Sequence, residues 1–150
     1  MENIVPTTEQ SVRERIDEIW RGDTKTLRSC NAIVSYLIAN AKQANYITLQ
    51  SLYSSYEDPD AGAVLKAAKF LSGEEVPLLE MKFQYINDED DEETASNEEY
   101  SVSDIERFRR TGSFEDPRTG EQVPDFERNL YIFFVPTAFA KEVFSKVVAR

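Results

Sequence analysis

With 28 acidic and 17 basic side chains in 150 residues, a net charge of −11 and a pI of about 4.5, the chain is the reverse of the basic footprint of a nucleic-acid binder. Its 41% apolar content, including nine Phe and seven Tyr, is enough for one hydrophobic core without disulfides or metals. The absence of histidine excludes Ser-His and Cys-His nucleophilic arrangements and imidazole metal ligands.

The start, MENIVPTTEQSVRER, lacks the basic-then-apolar order of a signal peptide, and no apolar run reaches the roughly 20 residues of a membrane span, so a soluble cytoplasmic protein without membrane contact is expected. One cysteine, Cys30, fits a reducing compartment. Residues 7–21 read as a helix: Thr7 and Gln10 have capping-box spacing, Val12, Ile16, Ile19 and Trp20 recur at helical intervals, and Gly22 is a stop. Thr24 then caps a second helix in which Leu27, Cys30, Val34, Leu37 and Ala41 step by three and four. Tyr46 and Ile47 suit a very short strand, and Thr48 caps a short helix, LQSLYSSYE. Asp58, as cap, and Pro59, at the first helical position, open a further helix that ends at Gly73.

Beyond Gly73 the period changes. In VPLLEMKFQYI, Leu79, Met81, Phe83 and Tyr85 alternate with Glu80, Lys82 and Gln84, which predicts a strand with one buried face. LYIFFV, 130–135, is a second strand, and its unbroken apolar run predicts burial on both faces. Thr137 caps a last helix with Phe139, Val143, Phe144 and Val147 in one stripe. Between the strands, SDIERFRR is expected to form one or two helical turns capped by Ser103 and Glu106 and anchored by Ile105 and Phe108. TGSFEDPRTGEQVPDF has two turn signals and predicts a small hairpin or Ω-like loop.

The order helix, brief strand, short helix, helix, strand, strand over residues 26–136 resembles a winged helix-turn-helix domain, an α+β fold. The resemblance makes 27–43, 48–57 and 59–72 the three core helices, the third being the recognition helix of DNA-binding relatives, and 76–86 with 129–135 the wing. A single domain, 1–150, follows, with an N-terminal helical arm (1–23), a partly disordered wing insertion (87–128) and a C-terminal helix (137–150). Segment 112–135 is also similar to winged-helix accessory subunits of bacterial defence operons.

Catalytic residues, cofactor sites and metal sites are not expected. Cys30 lies on an apolar stripe as a packed thiol, and the five glycines form no phosphate-binding pattern. The run Asp88, Glu89, Asp90, Asp91, Glu92, Glu93 reads first as a solvated loop and second as a docking surface for a basic partner; for calcium it lacks the turning glycine and the spaced terminal Glu. The function expected is a non-enzymatic adaptor or regulatory subunit that meets a protein partner, or a second copy, through Val12, Ile16, Ile19 and Trp20, through Phe139, Val143 and Phe144, or through the acidic run. The alternative is a dimeric DNA-binding regulator using Lys66 and Lys69 on the third core helix, where Ala61, Gly62, Ala63, Ala67 and Ala68 offer a small-residue surface for close packing against protein.

Overall fold

A computed structural model describes residues 8–40, 46–54, 59–86 and 98–145. Among these the chain is α+β, with six α-helices and a small antiparallel sheet of strand order β2-β1-β3. Helix α1 (Glu9–Trp20) begins one residue later than the spacing predicts, because Thr8 and not Thr7 is the cap. Its Oγ1 accepts from Ser11 N–H at 3.1 Å while Ser11 Oγ accepts from Thr8 N–H at 2.9 Å, a reciprocal box closed by a serine where Gln10 was expected. Helix α2 (Thr24–Asn40) is capped by Asp23 and not Thr24: its carboxylate accepts from Thr26 N–H at 3.1 Å and from the Thr26 hydroxyl at 2.8 Å. Thr48 caps α3 (Leu49–Tyr53) as predicted. Helix α4 (Ala61–Leu71) is capped by Asp60, so Pro59 lies outside the helix. Ala41, Asp58 and Val147 lie outside the described residues.

Strand β1 (Leu79–Tyr85) pairs with β2 (Glu99–Ser101), placing Gln84 opposite Glu99, and β3 (Leu130–Pro136) lies on its other side. Ile86 N–H donates to Asn129 O and Thr137 N–H to Leu78 O, so the odd-numbered residues of β3 face β1 and the even ones face away. Of the outward residues, Phe134 exchanges two hydrogen bonds with Ile47, at 2.8 and 2.7 Å. The backbone of Ile132 has no such partner among the described residues. Phe133 and Phe134 are fully buried but Tyr131 is 46% exposed, so the apolar run of β3 is covered on both faces only in its C-terminal half.

The contacts divide the chain into two compact units, Met1–Glu80 with Phe134–Arg150, and Met81–Phe133. In the first, α2 is the hub: α1, α3, α4 and α6 (Ala138–Ser145) all pack on it, around Ile16, Ile33, Leu37 and Leu71. Ala63, Ala67 and Ala68 of α4 are buried, so the small-residue surface read from the sequence is spent on the close approach of α4 to α2, leaving only Ala61 and Gly62 of that set outside.

The second unit has an aromatic core. Tyr85, Phe114 and Phe126 are buried, and Tyr100, Phe108, Val123 and Leu130 pack around them. Phe114 and Phe126 stack at 4.8 Å between ring centroids, with Phe108 edge-on to both. Helix α5 (Val102–Thr111) is longer than expected and is capped by Ser101 with Asp104, not by Ser103 with Glu106. It stops at Gly112, whose φ of +68° is the left-handed conformation that a side chain resists. Residues 114–123 form the predicted small hairpin: Val123 N–H donates to Phe114 O, Asp116 N–H to Glu121 O, and Glu115 bridges Gln122.

Candidate interaction surfaces

The apolar stripes expected to meet a partner are largely used inside the chain. Val12 and Ile16 are fully buried, because α1 lays this face on α2. Arg13 reinforces the join, donating to Asn31 Oδ1 at 3.0 Å and Ser35 Oγ at 3.1 Å. Val143 and Phe144 are buried as well and Phe139 is half-buried, since Thr137 ties the start of α6 to Pro77 O through its hydroxyl at 2.7 Å and α6 then packs on α2. Among the described residues, neither helix therefore offers its stripe as a free docking face. What remains is the end of α1, where Ile19 is 38% exposed and the half-buried Trp20 sets its ring edge-on to Phe70.

The two lysines of the DNA-binding alternative differ. Lys66 Nζ lies 2.9 Å from Asp23 Oδ2 and 4.9 Å from the Trp20 ring centroid, so its charge is already matched by a carboxylate and an aromatic face. The hydrogen bond from Lys66, with those from Thr26, holds the Asp23 carboxyl down at about 2. Lys69 is exposed and makes no ion pair among the described residues. Arg13, Arg15, Arg21 and Lys25 are likewise paired, with Glu9, Glu75, Asp17 and Asp60.

Residues Asp88, Glu89, Asp90, Asp91, Glu92 and Glu93 lie outside the described residues. The pairing of β1 with β2 places a strand inside the insertion predicted over 87–128.

The unit Met81–Phe133 presents residues that sequence reasoning did not single out. Val102 and Tyr131 are 40% and 46% exposed. At the hairpin tip, Asp116 is only 4% exposed, and its carboxylate accepts from the N–H groups of Arg118 at 2.8 Å and Thr119 at 3.3 Å. Gly120 turns the chain at φ +76°, and its N–H donates to Asp116 O. Side chains 118–121 thus stand on a shaped, hydrogen-bonded turn. The Asp-Pro-Arg-Thr-Gly string signalled the turn but not the burial of Asp116.

Burial, with a smaller contribution from the charge of Asp23, pushes the Cys30 thiol up to about 12, far from a thiolate at neutral pH. Burial also raises the Tyr100 phenol, whose hydroxyl donates to Glu98 at 3.2 Å. Among the described residues no three His, Cys, Asp or Glu side chains converge as metal ligands, and no helix is long and apolar enough to cross a membrane. No protein-family model, curated protein or solved structure matches the chain.

Proposed function

We propose that the chain is a winged-helix adaptor, a non-catalytic subunit of a larger assembly that binds protein rather than DNA and does so through the unit Met81–Phe133. The element order α2, the Ile47 bridge, α3, α4, β1, β3 supports the winged-helix part of the reading, with Ile47 as the short first strand and α4 in the place of the recognition helix. One observation carries the preference for protein: Lys66, on the outer face of α4, is held by Asp23 and Trp20, so that α4 has only Lys69 free for a phosphate. Because α1 and α6 bury most of their stripes, the exposed Val102 and Tyr131 and the hydrogen-bonded tip around Arg118 are the contact elements this reading uses, beside Ile19, Tyr46 and Tyr53, which are exposed in the other unit.

The test is recovery of the intact chain from its native cell after nuclease treatment, beside a titration of the purified chain with duplex DNA between about 50 and 200 mM salt. A stoichiometric protein partner that is lost on combining Arg118→Ala with Tyr131→Ala is expected, with weak DNA affinity indifferent to Lys66→Ala and Lys69→Ala. Tight duplex binding that falls steeply with salt and disappears in the lysine variants would overturn the reading.

A further inference from the structure

Asp23 and Asp60 have matching places at the starts of α2 and α4, two helices that pack on each other. Asp23 caps α2: its Oδ1 accepts from Thr26 N–H at 3.1 Å, while its Oδ2 takes the Lys66 ammonium of α4 at 2.9 Å. Asp60 caps α4: its Oδ1 accepts from Ala63 N–H at 2.9 Å, while its Oδ2 takes the Lys25 ammonium of α2 at 3.4 Å. One oxygen anchors each carboxylate to its own helix, and the other holds a lysine of the facing helix. We infer that Asp23, with Asp60 beside it, is a specificity determinant that keeps nucleic-acid phosphate off the outer face of α4 by occupying Lys66 and Lys25.

Both pairs are solvent-exposed and so contribute little to stability. What they change is which anion each lysine meets. A phosphate arriving at Lys66 has to displace a carboxylate already held in place by the Thr26 amide and hydroxyl, and is repelled by it. Both carboxyls lie below the usual range, Asp23 chiefly through Lys66 and Asp60 chiefly through the Ala63 amide, so both are charged at neutral pH. The role of Asp23 rests on the winged-helix placement of α4 given above, and supplies the reason that such a helix does not take up DNA.

The test is titration of the full chain with duplex DNA from about 50 to 200 mM salt, in a series of variants. Asp23→Asn is the central one, because asparagine caps a helix as well as aspartate and the fold is kept, which helical circular dichroism checks. Its affinity is expected to rise several-fold, with a log-log salt slope steeper by about 0.9, the mark of one added phosphate contact. Adding Lys66→Ala should cancel the gain, although Lys66→Ala alone changes nothing, and adding Asp60→Asn should extend it. Glu14→Gln lowers the negative charge equally but frees no cation, and should leave binding as it is. A gain in Asp23→Asn no larger than in Glu14→Gln, or one that survives Lys66→Ala, would overturn the role of Asp23 and leave the protein-binding reading standing. Tight binding by the unaltered chain would overturn both.

Discussion

The helical unit and the unit Met81–Phe133 bury apolar surface with different materials. The first spreads 11 basic and 13 acidic residues over five helices and packs mainly aliphatic side chains at helical spacing. The second sets 6 basic against 15 acidic residues and relies on stacked rings. Many methyl and methylene contacts make the first core redundant, since each side chain contributes a fraction. The second buries fewer side chains, Ile105 and Phe133 beside the three rings, and its aromatic packing runs through Phe114, which meets four other aromatic rings.

The sharpest way to separate the two is therefore Phe114→Ala, expected to cost about 3–5 kcal/mol. Protection should vanish at Gly112 and Val123 while Cys30, fully buried in the helical unit, stays closed to thiol reagents. Immediate labelling of Cys30 would mean that the two units stand or fall together. The reciprocal change, Leu37→Ala in α2, is expected to cost about 2–5 kcal/mol and to expose Cys30 at lower denaturant. Smaller and more local are the caps: Ser101→Ala and Thr8→Ala should each cost about 0.5–2 kcal/mol, the first read at α5 and the second at α1. Smallest is an acid effect confined to the helical unit. The Asp23 carboxyl is lowered from 3.8 to about 2, so its contribution to stability is present above pH 4 and is lost as pH falls through about 2. In Lys66→Ala the carboxyl titration, followed by carbon NMR, should move part of the way back up, because the two Thr26 donors remain.

The elements legible in the sequence were those with enough length to show a period. The stepping of Leu27, Cys30, Val34 and Leu37 gave α2, the alternation from Leu79 to Tyr85 gave β1, and Ile105 and Phe108 do anchor α5. Cap positions slipped by one or two residues, because Thr7 stands beside Thr8, and Ser101 and Ser103 both have an acid three residues on; which one serves depends on where the preceding chain enters. Strand β2 is three residues long, too short for alternation, and is recognisable only through its pairing with β1. The surface was least legible of all. An amphipathic stripe such as Val12 and Ile16 has the same pattern whether it covers its own neighbour or another molecule, and pairing such as Lys66 with Asp23 joins residues 43 positions apart.

The outer edge of β3 has a consequence for handling the protein in concentrated solution. Next to the Ile47 bridge, the amide and carbonyl of Ile132 have no backbone partner among the described residues, in the uncharged stretch Leu130–Phe133 beside the exposed Tyr131. Natural edge strands blunt such stretches with lysine or a bulge, and this one has neither. It is therefore the place where turbidity on storage would begin, and Tyr131→Lys is the substitution that should delay it.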